Sequence, residues 1–196
     1  MMISKDLHNT LINKWSKVGK VYSLRNKRVI ARLKWFDKHL ELLDGLNVLE
    51  VGSNSGLMAI DICKHAKFYI GLEKKEVYYR QSLQTLTYAL DSQKAHFCNL
   101  RLSEYDHNVF PFSTKLYGVV LSRVLYYLKD GDIEVLKDIL KNCKVALVFC
   151  GSTNERKLNK YGFHKAKNTK KFFEDQGFKF EVDLVHSRYY GGIATK

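Results

Sequence analysis

A chain of 196 residues, 45% hydrophobic and 27% charged, is long enough to bury its own core and too apolar to remain disordered. Its strongest apolar run, Val145–Cys150, is six residues, against about 18 for a membrane span, and its N-terminal Met-Met-Ile-Ser-Lys-Asp-Leu-His lacks a secretory apolar stretch. No membrane association and a cytoplasmic location are expected, and the formal net charge of +13 directs attention to acidic partners.

The elements follow in chain order. The first 45 or so residues read as helices, because Val29, Leu33, Phe36, Leu40 and Leu43 recur at spacings of four, three, four and three and make one apolar stripe. Gly45 stops that helix. Asn47–Val51 reads as a strand, then a helix from about Leu57 to His65, and Phe68–Leu72 as a second strand. Glu76–Leu90 is predicted helical, with Tyr79, Leu83, Leu86 and Leu90 on one face. His96–Leu100 and Tyr117–Leu121 are the third and fourth strands. Asp132–Leu140 is a helix whose acids suit the positive end of its dipole. Val145–Cys150 is the fifth strand. Asn168 or Thr169 is expected to cap a helix running to Gln176 and ended by Gly177. Phe178–Val185 and Tyr189–Thr195 close the chain as two strands around His186–Ser187.

Strands spaced by helices predict βαβ units and a largely parallel sheet, α/β in class. The single proline, Pro111, and the lack of any Gly/Ser linker or repeat predict one domain over residues 1–196, with residues 1–45 a helical cover and 46–196 the core. Ligands on such sheets bind beyond the carboxyl ends of the strands. The residues after strands one, two and four are therefore the candidates for chemistry.

After strand one comes Val48-Leu49-Glu50-Val51-Gly52-Ser53-Asn54-Ser55-Gly56, opening a helix. This run resembles motif I of the class I S-adenosylmethionine-dependent methyltransferases, an acid, any residue, then G-x-G-x-G. Glu50 matches the acid, Gly52 and Gly56 the outer glycines, and Asn54 replaces the middle one. Asn takes a left-handed backbone more readily than other side-chain-bearing residues, so the turn survives the replacement. Tyr69-Ile70-Gly71-Leu72-Glu73 then ends in an acid 17 residues after Gly56, where a carboxylate can accept both ribose hydroxyls of an adenosine. A nicotinamide-binding fingerprint, G-x-G-x-x-G, fits less well: the last glycine comes one residue early and position 57 is Leu.

The resemblance implies a Rossmann-like doubly wound, mostly parallel seven-stranded sheet with an antiparallel closing strand and N-terminal helices. It implies S-adenosyl-L-methionine as cofactor, with Glu50 and the backbone of Gly52, Ser53, Asn54 and Gly56 at the methionine end and Glu73 on the ribose. Lys74 stands where the family often packs an apolar residue on adenine. The end of strand four, with Ser122 and Arg123, normally faces the transferred methyl. The marks of three nucleic-acid subclasses are missing there: no Pro-Pro pair, no cysteine after a proline, and Ser122 where the ribose 2′-O group carries Asp. Tyr126 and Tyr127 are packing residues or an acceptor clamp, and His186 a base or a loop histidine. Transfer from a sulfonium needs a base only if the acceptor must lose a proton, so no catalytic side chain is assigned.

The charge is unevenly placed. Residues 1–40 carry ten Lys/Arg against Asp6 and Asp37, residues 156–171 carry seven and no acid, and the rest of the chain is nearly neutral. Trp15, Lys17, Lys20, Tyr22, Arg25, Lys27 and Arg28 place aromatics among cations, as RNA-binding surfaces do, or they decorate an amphipathic cover. Cys63, Cys98, Cys143 and Cys150 lack CxxC spacing and the seven histidines lack HxxxH, so reduced thiols and no metal are expected. The leading reading is a methyltransferase acting on a nucleic acid or other polyanion, RNA before DNA. A small-molecule methyltransferase is the alternative, and a non-catalytic nucleic-acid-binding or partner-activating module on the same fold is a third. Oligomeric state is open.

Overall fold

A computed structural model describes residues 27–106, 117–151, 160–186 and 189–196. The expected N-terminal aromatics and cations up to Arg25, together with Pro111, Arg156 and Lys157, lie outside them. The described residues build a seven-stranded sheet in the order β3-β2-β1-β4-β5-β7-β6. The strands are β1 (Asn47–Val51), β2 (Phe68–Leu72), β3 (Ala95–Cys98), β4 (Tyr117–Ser122), β5 (Cys143–Gly151), β6 (Lys179–His186) and β7 (Tyr189–Thr195). β2 pairs parallel with β3 and β4 with β5, whereas β7 runs antiparallel to both its neighbours, β5 and β6. The mostly parallel sheet is the one the alternation of strands and helices predicts, and the antiparallel closing strand is the one the resemblance implies. The chain divides into two compact units, residues 27–48 with Ser53–Leu100, and Leu49–Gly52 with Arg101–Lys196.

In the first unit, helix α1 (Lys27–His39) runs into a 3-10 turn, Leu40–Leu43, and ends at Gly45 with φ +70°. Phe36, Leu40 and Leu43 are buried as the stripe predicts, but Trp35 and Arg32 are buried too, the latter only 4% exposed. Trp35 lies edge-on against Phe36 with ring centres 4.9 Å apart. The buried arc is thus wider than one stripe, and Arg32 adds nothing to a cationic surface. Helix α2 (Ala59–His65) follows β1, and helix α3 (Glu76–Ala89) follows β2.

Helix α3 corrects the expectation for its face. Its buried residues are Gln81, Ser82 and Thr85, while Leu83 is 37% exposed and Tyr79, Leu86 and Leu90 are half-buried. The reason is what α3 packs against. Beneath it lies the turn after β1, whose polar main chain needs partners, so the polar face turns in.

In the second unit, helix α4 (Asp130–Asn142) starts two residues before the predicted Asp132. Asp132 acts there as a cap: its carboxylate accepts the amides of Lys129 at 3.0 Å and Ser103 at 2.9 Å. Helix α5 (Ala166–Glu174) corrects the predicted caps, since it begins ahead of both Asn168 and Thr169. Asn168 Nδ2 instead donates to the carbonyls of Tyr161 and Gly162. Thr169 Oγ1 hydrogen-bonds Tyr190 and the Phe163 carbonyl. Gly177 ends the helix as expected, at φ +80°, with the Phe178 amide returning to the Phe173 carbonyl at 3.1 Å. Cys143 and Cys150 are buried, and desolvation pushes both thiols up to about 12. Among the described residues no helix is long and apolar enough to cross a membrane.

Candidate functional site

The turn leaving β1 is left-handed at alternate residues: Gly52 at φ +74°, Asn54 at +53° and Gly56 at +74°. The two glycines adopt this without cost and Asn at little, so the substitution in the motif keeps the turn. The Ser53 amide donates to the Leu72 carbonyl at 2.9 Å, and the Gly56 amide to the Ser53 carbonyl at 3.0 Å. Asn54 Oδ1 accepts the next amide, Ser55 N, at 2.8 Å. A Cβ on Gly56 would stand 2.6 Å from Phe97 Cζ on β3, so this glycine is required by packing as well as by φ.

Glu73, at the end of β2, is buried. Its Oε2 accepts the Asn54 amide at 3.0 Å and its Oε1 the Lys75 amide at 2.8 Å. A carboxylate offers about four lone-pair sites, so two main-chain bonds leave it able to accept two more. Asn99 Nδ2 donates to the Glu73 carbonyl at 2.7 Å. The run His96–Leu100 predicts a strand through Asn99; the strand stops at Cys98, and Asn99 follows its carboxyl end. A polar residue after an apolar run was the available signal. Lys74 is exposed.

In the second unit, Glu50 is buried in β1, and Gly52 lies against β4's exit: a Cβ there would stand 2.9 Å from Val124 Cγ2. Ser122 is 8% exposed, and its Oγ finds no hydrogen-bond partner among the described residues. Arg123 holds φ +58°, uncommon for a residue with a side chain. Its amide donates to the Phe149 carbonyl at 2.6 Å and its Nε to the Tyr126 hydroxyl at 3.3 Å. Strained backbone of this kind collects at functional sites. The two tyrosines part company: Tyr126 is 1% exposed and Tyr127 47%. Burial pushes the Tyr126 phenol up to about 12 against the pull of Arg123, so it stays protonated at working pH.

The second basic segment is partly neutralised. Lys160 pairs with Asp130, Lys170 with Glu174 and Lys171 with Asp175. Of its described cations, Lys165 and Lys167 stand outside these pairs. Lys27 and Arg28 open α1, and His186 ends β6.

No protein-family model and no curated protein matches the chain. Solved structures do. Magnesium protoporphyrin IX methyltransferase (ChlM) from Synechocystis PCC 6803 with bound SAM is 14% identical, aligned over 95% of this chain and 90% of its own, with TM-score 0.63. The DhpI–SAH complex is 13% identical over 98% of both chains, with TM-score 0.65. Precorrin-6y C5,15-methyltransferase from Geobacter metallireducens GS-15 is 15% identical over 92% of this chain and 95% of its own, with TM-score 0.62. The chain shares the fold of these methyltransferases over nearly its whole length.

Proposed function

We propose that this chain is a single-domain enzyme that transfers a methyl group from S-adenosyl-L-methionine to a small-molecule acceptor. The observation that carries the donor half is the turn after β1, left-handed at Gly52, Asn54 and Gly56, with the buried Glu73 carboxylate bonded to its main chain. Neighbours of the same fold hold SAM or SAH. The residues present fit this cofactor. Glu73 keeps lone pairs for ribose hydroxyls, and Ser53 and Ser55 carry buried hydroxyls without a hydrogen-bond partner among the described residues.

When bound, the cofactor supplies a sulfonium-activated methyl. The chain's part is to hold and orient. Glu73 takes the ribose; Glu50 and the main chain of Gly52, Ser53, Asn54 and Gly56 take the methionine end; Ser122 and Arg123 take the methyl side. The closeness of Val124 to Gly52 supports that last role, because it brings the β4 exit to the end of β1. Alignment of an acceptor that already carries a lone pair supplies much of the acceleration, without a base.

The ion pairing of the second basic segment favours a small acceptor over a polyanion, and two neighbours have small-molecule acceptors in their names, magnesium protoporphyrin IX and precorrin-6y. The polyanion reading, RNA before DNA, then rests on the N-terminal cations. Calorimetry with S-adenosylmethionine and S-adenosylhomocysteine, followed by labelled methyl transfer to fractionated RNA, DNA, protein and metabolites, tests both halves. Folded protein that binds neither compound ends the donor reading, and binding without transfer leaves the non-catalytic module. Label confined to RNA, with a steep salt dependence of oligonucleotide binding that Lys20, Arg25, Lys27 and Arg28→Gln flatten, overturns the small-acceptor reading.

A further inference from the structure

The polar face that α3 turns inward makes a specific bond to the turn. Thr85 Oγ1 donates to the Ser55 carbonyl at 2.7 Å in a buried setting. The alternative acceptor, the Gln81 carbonyl one helical turn back, is at 3.3 Å, so the hydroxyl hydrogen belongs to Ser55. A Ser82 Cβ that would stand 3.2 Å from a Cβ on Gly56 shows how closely α3 approaches there. Ser55 lies between the two left-handed residues Asn54 and Gly56. The turn is therefore gripped at adjacent residues from two elements: the Asn54 amide by the Glu73 carboxylate, the Ser55 carbonyl by the Thr85 hydroxyl.

We infer that Thr85 is a positioning residue of the donor site, fixing through the Ser55 carbonyl the turn conformation that receives the cofactor. This rests on the donor reading above. Without the hydroxyl, the Ser55 carbonyl loses a buried bond, and ordering the turn becomes part of the cost of binding.

Thr85→Val keeps shape and β-branching and removes the donor; Thr85→Ser keeps the donor. The readouts are amide hydrogen exchange at Asn54, Ser55 and Gly56 in the ligand-free full chain, and calorimetry with S-adenosylhomocysteine. The valine variant is expected to exchange faster at these amides and to bind about tenfold more weakly, the scale of one net hydrogen bond. The serine variant restores both, and β5 amides exchange alike in all three proteins. Unchanged exchange at the turn, a loosened turn with unchanged affinity, or equal loss in both variants overturns the inference while leaving the donor reading intact. A wild type that does not bind S-adenosylhomocysteine instead removes the donor reading, and the inference falls with it.

Discussion

The glycine-rich turn of the first unit and the sheet end of the second are held by different forces. Around Ser53–Gly56 the grip is directional: each amide from Ser53 to Gly56 is spent on a named acceptor, the Glu73 carboxylate taking the Asn54 amide, and the Thr85 hydroxyl of α3 donates to the Ser55 carbonyl. Under α5 it is aromatic. Phe173 stacks on Phe180 at 5.2 Å and meets Phe172 and Phe178 edge-on, and the Phe180 ring lies so close over Gly192 that a Cβ there would come within 2.1 Å. Apolar contact is strong but non-directional. It can fasten a helix to a sheet, but it cannot orient a peptide group. Where a backbone must face a ligand in one orientation, hydrogen bonds have to do the holding.

That contrast is broken most directly from its aromatic side. Phe173→Ala should cost about 3–5 kcal/mol of folding stability, the range for emptying a buried aromatic site. At a temperature where the variant remains folded, its affinity for S-adenosylhomocysteine should match wild type; chemical denaturation and calorimetry measure the two. A large loss of affinity in the folded variant would show that the two regions are not separable in this way.

Glu73→Ala attacks the directional side. It removes the acceptor of the Asn54 and Lys75 amides along with the proposed ribose contact, and should weaken S-adenosylmethionine binding by about 2–3 kcal/mol, the scale for charged hydrogen bonds. Circular dichroism should show the fold intact. Unchanged affinity would reject Glu73 as the ribose ligand.

Asp132 asks whether a directional bond outside the turn affects only folding. Burial raises its carboxyl, but the amides of Lys129 and Ser103 outweigh that and hold it below the ordinary carboxylate value. A depressed folded-state value contributes stability that is present above the unfolded value and lost as pH falls through the folded one. Asp132→Ala should therefore cost about 1 kcal/mol at pH 7, as loss of a cap does. The gap to wild type should narrow as pH falls below the carboxylate range. Melting curves at neutral and acid pH read it, and a gap that stays constant with pH would rule out the carboxylate as its source.

The smallest effect belongs to Asn54→Gly. Glycine adopts the left-handed backbone more easily, while the bond from the Ser55 amide to Asn54 Oδ1 is lost, so cofactor affinity should change by less than about 1 kcal/mol. Abolished binding in this variant would mean that the Asn side chain itself touches the ligand.

The local chemistry of the turn was legible in the residues themselves. Gly52, Asn54 and Gly56 are the residue types that reach positive φ, and a backbone demand of that kind depends on no distant partner. The apolar strand ending at Glu73 and the paired closing strands were readable for a similar reason, because a short apolar run between turn residues carries its own signature. The antiparallel insertion of the last strand came instead with the resemblance to the methyltransferases.

What the sequence by itself determined, then, is the order of elements, the ends of β1, β2 and β7 and the positive-φ turn, each set by residues within a few positions of one another. Tertiary structure alone decided which face of α3 turns inward, because a period of 3.6 identifies an apolar stripe but not what lies opposite it, and here that was a polar turn. It decided that Asn168 and Thr169 bond the chain before α5 instead of capping the helix, that Arg32 is core and not surface charge, and that Tyr126 is buried while Tyr127 is exposed. It brought Thr85 to Ser55, thirty residues away. Burial and long-range hydrogen bonds are relations between segments remote in the chain, and only the packed fold brings their partners together.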